Sequence, residues 1–128
     1  MPSSHEPAFK RSHSLQERLD QYRRVTETHP NKIPVVVEKS PISGRRSNPS
    51  IPDIDKNKYL VPGDLTVSQF MTLIRKRIKL GNDQALFIYV DGVLPPASAM
   101  FSTVYAEHRD EDGFLYVMYA GESSFGFE

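Results

Sequence analysis

The run Phe114-Leu-Tyr-Val-Met-Tyr119 is apolar or aromatic at every position. A strand with one face in water alternates apolar and polar residues, whereas a strand covered on both sides does not. This segment therefore reads as the central, buried strand of a sheet. Its counterpart is Ile33 to Lys39, where Val35, Val36 and Val37 are consecutive β-branched residues. The first and last strands are expected to meet in the middle. Pro34 marks the first of them as an edge strand or as lying at a strand start.

Working outward, Ser14 with Glu17 three residues later forms a capping box that opens a helix. Leu15, Leu19, Tyr22 and Val25 make its apolar stripe, with Arg18, Asp20, Arg23, Arg24 and Glu27 on the solvent face. Pro30 stops it. Residues 40–55 carry Pro41, Gly44, Pro49 and Pro52 with four serines and read as a flexible loop. Lys58 to Val61 is a short strand closed by Pro62-Gly63. If it is an edge strand, Lys58 and Leu60 share one face, Tyr59 and Val61 share the other, and the open edge can take up an extended peptide.

Thr66 with Gln69 is a second capping box, followed by the helical stripe Phe70, Leu73, Ile74 and Ile78. Gly81 is expected at the left-handed position past that helix. Ala85 to Val90 is a strand, Asp91-Gly92 a tight turn, and Ser102 to His108 a short helix. The acidic run Glu107, Asp110, Glu111 and Asp112 reads as a solvated turn. The whole predicts an α+β domain with one mixed sheet and a helix packed across it. Residues 1–8 read as a mobile N-terminus, 9–121 as the domain and 122–128 as a tail.

The 128 residues fit one domain. Sixteen basic and sixteen acidic side chains cancel, yet residues 1–79 hold 15 basic against 8 acidic and residues 80–128 hold 1 against 8. The balance argues against a nucleic-acid coat, and the asymmetry points to a partner-binding side. Without cysteine the chain has no thiol nucleophile, disulfide or thiolate metal site. His5, His13, His29 and His108 lack metal-type spacing; His108 stands near Asp110 as a solvated group. There is no Gly-x-Ser-x-Gly elbow and no Gly-rich phosphate loop, so an enzyme reading has no support. No apolar run approaches the ~20 residues that span a bilayer.

The runs Lys32-Ile-Pro-Val-Val-Val-Glu-Lys39, Lys58-Tyr-Leu-Val-Pro62, Asp64-Leu-Thr-Val-Ser-Gln-Phe70, Leu73-Ile-Arg-Lys-Arg-Ile78 and Asp110-Glu-Asp-Gly-Phe-Leu-Tyr116 resemble the autophagy-related protein eight family of ubiquitin-like modifiers. That family includes the GABA-receptor-associated protein and the light chain three proteins. The resemblance covers about residues 9 to 126, in family order. It implies a ubiquitin-like β-grasp fold with a four-stranded mixed sheet and two additional N-terminal helices.

The resemblance also implies a function. A processing cysteine protease would cleave before Phe127 and leave Gly126 as the terminus, preceded by Phe125. Activating-type and conjugating-type enzymes would then join Gly126 to phosphatidylethanolamine. The chain would be cytoplasmic when unconjugated and on the autophagosome membrane when lipidated. It would be a monomer in solution and a substrate rather than an enzyme, with no metal, cofactor or nucleic acid. Cargo receptors with aromatic-x-x-aliphatic motifs would bind beside the second strand. By matching motifs, Val25, Pro34, Val36, Lys58, Leu60 and Phe114 would line an aromatic pocket. Tyr59, Val61, Pro62, Leu65, Phe70, Leu73 and Arg77 would line an aliphatic pocket. Lys56 and Lys58 would meet acidic flanks. Two departures from the family pattern are the insertion Ser43-Gly-Arg-Arg-Ser-Asn48 and Gln21 in place of an acid. The competing expectation is an unconjugated β-grasp adaptor in membrane trafficking.

Overall fold

In a computed structural model, residues 6–40 and 51–121 are described. The elements run α1 (Ala8–Ser12), α2 (Leu15–Thr28), β1 (Lys32–Lys39), β2 (Lys58–Pro62), α3 (Val67–Arg77), β3 (Phe87–Tyr89), α4 (Phe101–His108) and β4 (Leu115–Ala120). The sheet order is β2-β1-β4-β3. β1 and β4 are parallel neighbours at the centre, and the two outer pairings are antiparallel. This is the mixed, β-grasp arrangement.

Alternation along the central strands sorts their side chains onto two covered faces. Val35 and Val37 of β1 join Leu115, Val117 and Tyr119 of β4 in the main core, under Phe70 and Ile74 of α3 and Phe101 and Val104 of α4. Val36 points the other way, into a second cluster with Phe9 and Phe114, against which Tyr22 and Tyr116 pack. Both faces are covered, which is why neither β1 nor β4 shows polar alternation.

Both capping boxes form: the Ser14 hydroxyl accepts from the Glu17 amide, and Thr66 does the same for Gln69. Asp91 and Gly92 have φ of 53° and 75°, and Val90 and Val93 exchange both backbone hydrogen bonds across them. That is the tight turn the dipeptide encodes.

Five expectations need correction. Pro34 is in an interior strand, not at an edge; of its two readings, the strand start is the one that holds. It is tolerated because pairing with β4 begins only at Val35. The third strand is shorter than residues 85–90, since the chain enters the turn at Val90. The left-handed residue after α3 is Lys79, at φ 58°, not Gly81. The amide of Leu80 donates to the carbonyl of Arg75, and that of Lys79 to Lys76, a Schellman closure built on lysine. Gly81 instead accepts from the Arg75 guanidinium at 2.9 Å. His108 pairs with Asp91 at 2.8 Å rather than standing as a solvated neighbour of Asp110.

The fifth correction concerns charge. Arg18 is the buried residue of α2, whereas Leu15, assigned to the apolar stripe, is 38% exposed. Asp112 is fully buried, not solvated. Arg18 faces inward because a buried carboxylate requires a partner. Residues 1–5, the loop segment 41–50 with its insertion, and the tail 122–128 with Gly126, lie outside the described residues.

Tyr119 of β4 lies in the main core and Tyr105 of α4 packs against it, and burial pushes each hydroxyl up to about 12. Burial also raises Tyr116, with its hydrogen bond to Asp112 adding to the shift. Burial disfavours the phenolate, so the stabilisation holds fully below the ordinary tyrosine value near 10. It is lost as pH rises from about 10 towards about 12. No tyrosine is exposed, so most of the phenolate absorbance should appear above about pH 10, as tertiary structure melts. A single unperturbed transition near pH 10 with the fold intact would contradict the packing of these rings.

Candidate functional site

β2 forms one edge of the sheet, with β1 on its inner side. Its register places Leu60 opposite Pro34 and Lys58 opposite Val36. Tyr59 and Val61 turn instead to the main core. The strand thus presents one row of side chains towards α2 and another towards α3, as its period-2 alternation requires.

The structure divides the six residues assigned to the aromatic pocket by depth. Val36 and Phe114 are 0% and 2% exposed and form a floor. Pro34 is also buried. Val25 and Leu60 are half-buried and Lys58 is exposed, so these reach the surface. Phe9 covers part of the floor: its ring meets Phe114 edge-on at 5.6 Å, and the Lys58 ammonium sits 4.5 Å from its centroid.

The aliphatic set behaves likewise. Phe70 and Val61 lie beneath, Tyr59 and Leu65 are half-buried, and Pro62, Leu73 and Arg77 are exposed. Leu73, a large apolar side chain 39% exposed on a helix beside a sheet edge, is the accessible apolar element here. Arg77 donates to Asp55 at 3.2 Å. Burial raises the Tyr59 hydroxyl and the Arg77 charge opposes the shift. Lys56 lies over the Tyr59 ring at 5.2 Å and Lys58 over the Phe9 ring, so both place positive charge at the start of β2.

Reading the sequence alone missed the network that positions α1 and α2. Arg18 donates to Asp112 at 2.7 Å, and Asp112 also accepts from the Tyr116 hydroxyl at 2.5 Å and the Phe114 amide at 2.8 Å. Lys10 pairs with Asp110 at 2.7 Å. Burial acts to raise the Asp110 carboxyl, but Lys10, the Asp112 amide and Arg18 outweigh it and hold it below the usual range. Glu38 of β1 accepts from the amides of Ala8 and Phe9 at 2.8 and 3.0 Å, capping α1 from a strand. The available signal was the acidic run Asp110-Glu111-Asp112 beside an apolar strand. Phe9 and Lys10 had none, because five residues carry too little periodicity.

On the opposite side, Val90, Val93, Leu94, Pro95, Thr103 and Val104 line a concavity of about 220 Å³, with His108 at its margin. Among the described residues no cluster of His, Asp or Glu could hold a metal, and no helix is long and apolar enough to cross a membrane.

The family model described as "Autophagy protein Atg8 ubiquitin like" matches residues 17–126. The chain belongs to the Atg8 family. It is 51% identical over 119 residues to Autophagy-related protein 8a of Arabidopsis thaliana, covering 93% of each chain. It is 52% identical over 119 residues to Autophagy-related protein 8 of Mycosarcoma maydis, covering 93% of this chain and 96% of that one. The crystal structure of Trypanosoma brucei ATG8 superposes with a TM-score of 0.80 at 40% identity, covering 94% of this chain and 99% of that one. This Atg8-family chain is therefore a ubiquitin-like autophagy protein.

Arg18→Ala would leave the Asp112 carboxylate buried without its cationic partner. The expected loss is about 3 to 5 kcal/mol in urea unfolding. A loss under about 1 kcal/mol, the range of a surface pair, would show that Asp112 does not depend on Arg18.

Proposed function

We propose that this chain is a conjugated modifier of autophagy and not an enzyme. A cysteine protease removes Phe127-Glu128, and activating-type and conjugating-type enzymes join the Gly126 carboxyl to the amine of phosphatidylethanolamine. Supporting this, the family match ends at residue 126, which is glycine. A glycine terminus has no side chain to obstruct entry into a narrow catalytic channel. Cysteine is missing from the chain, so the thioester thiols belong to the enzymes that handle it. A two-chain lipid converts a soluble domain into a stably anchored one. The unconjugated form is cytoplasmic and the lipidated form sits on the autophagosome membrane.

On that membrane the chain recruits cargo receptors that carry aromatic-x-x-aliphatic motifs. The observation that carries this half is the edge position of β2, flanked by Val25 and Leu60 on one side and by Leu65 and Leu73 on the other. A peptide laid along β2 gains main-chain hydrogen bonds, and alternate side chains drop to either side. Lys56 and Lys58 favour acidic residues around the motif.

Incubation with the cognate protease, followed by mass spectrometry, should show loss of Phe127-Glu128. Reconstituted lipidation should proceed with the trimmed chain and fail with Gly126→Ala. An intact tail, or full lipidation of that variant, overturns the conjugation reading and leaves the unconjugated adaptor.

Peptide binding is expected at micromolar strength, of order −8 kcal/mol. Leu60→Ala should weaken it about five- to tenfold, a loss of roughly 1 to 1.4 kcal/mol, while leaving lipidation intact. Titration calorimetry from low to high salt should show affinity falling several-fold for a peptide with acidic flanks. Unchanged affinity in the variant would remove Leu60 from the pocket, and salt-independent binding would remove Lys56 and Lys58 from recognition.

A further inference from the structure

Gly113 is buried in the turn that leads into β4, at φ +94°. A Cβ built there would lie 2.4, 2.5 and 2.6 Å from the Cδ1, Cε1 and Cγ atoms of Tyr22. The ring of Tyr22 fills the space that a side chain at position 113 would need. The same ring meets Phe114 edge-on, with centroids 6.1 Å apart. Position 113 has little room to retreat, because the Tyr105 hydroxyl of α4 donates to its carbonyl at 2.6 Å. Relief of such a contact falls on α2, which carries Tyr22.

Val25 follows Tyr22 by three residues and lies on the same helix face. Arg18, one turn before Tyr22, is tied to Asp112. Outward pressure at Tyr22 therefore tilts the helix about a fixed start and lifts Val25 away from the floor formed by Val36 and Phe114. We infer that the Gly113–Tyr22 contact sets the width of the slot between Val25 and that floor, and so selects the size of the aromatic side chain that enters it. The inference rests on the peptide-binding reading above. Gly113 and Tyr22 are positioning residues: they act through Val25, and with glycine at 113 the helix sits low and the slot favours a single ring over an indole.

The test uses two peptides identical except for Phe or Trp at the aromatic position. Titration calorimetry is run on the full chain, on Gly113→Ala, on Tyr22→Leu and on the double variant Tyr22→Ala/Gly113→Ala. Gly113→Ala should shift the ratio of the two affinities at least threefold towards Trp. The double variant should reverse that shift, returning the ratio to the wild-type value or beyond it towards Phe, because removing the ring of Tyr22 leaves room for the new methyl group. The strain of alanine at φ +94° is present in both variants. Thermal stability follows that strain, whereas the peptide ratio follows the contact. If Gly113→Ala does not fold, Tyr22→Leu decides. The smaller side chain lets α2 settle closer, and the ratio should move towards Phe. A ratio that stays put in Gly113→Ala and Tyr22→Leu, or that does not return in the double variant, overturns the inference while leaving peptide binding intact. Binding of neither peptide by the wild-type chain overturns the peptide-binding reading and the inference together.

Discussion

The carboxylate of Asp112 organises the arrangement of this protein's N-terminal helices. It is fully buried and accepts hydrogen bonds from the Arg18 guanidinium, the Tyr116 hydroxyl and the Phe114 amide. A buried charge without such partners would cost several kcal/mol. Satisfying it fixes the angle of α2 against β4, the start of β4 and the orientation of Phe114 together. Asp110 extends the arrangement to α1 through Lys10. Removal of one partner leaves the rest of the network intact in sequence but uncompensated in charge.

Two covered sheet faces follow from this anchoring. Without α1 and α2, Val36, Phe114 and Tyr116 would face water. With them, the sheet has a main core under α3 and α4 and a smaller aromatic one beneath the N-terminal helices. The candidate peptide site lies where these two layers meet at the edge strand β2. Its residues draw on both layers, so a peptide of the proposed kind would meet side chains of both. Charge follows the same geography: Lys56 and Lys58 mark the β2 edge, and the acidic run is consumed partly inside the fold at Asp110 and Asp112. The neutral total conceals this division.

Most of the fold was legible because its signals are local. The two capping boxes set the starts of α2 and α3 within a few residues, the valine run gave β1, and the unbroken apolar run gave β4. What misled was chemistry between residues distant in sequence. Arg18 reads as a solvent residue until a buried acid 94 positions away claims it. Lys79 adopts a left-handed conformation that local rules assign to Gly81. Strand alternation made legible that Leu60 and Lys58 share one face of β2, whereas their assignment to a peptide pocket rests on the family resemblance. Tyr22 was legible as part of the apolar stripe of its helix and does pack inward, whereas Phe9, which covers part of the site's floor, stands in no periodic run and was not.

The cap on α1 has a consequence for the order in which the chain assembles. A five-residue helix has too few hydrogen bonds to offset its nucleation cost. Its N-terminal amides are satisfied by Glu38, 29 and 30 residues away on β1. The helix therefore cannot precede the strand that holds its cap. It is a late addition on the folding route and, by the same logic, an early point of local opening from the native state. Opening there would bare the aromatic face of the sheet while the main core stays closed.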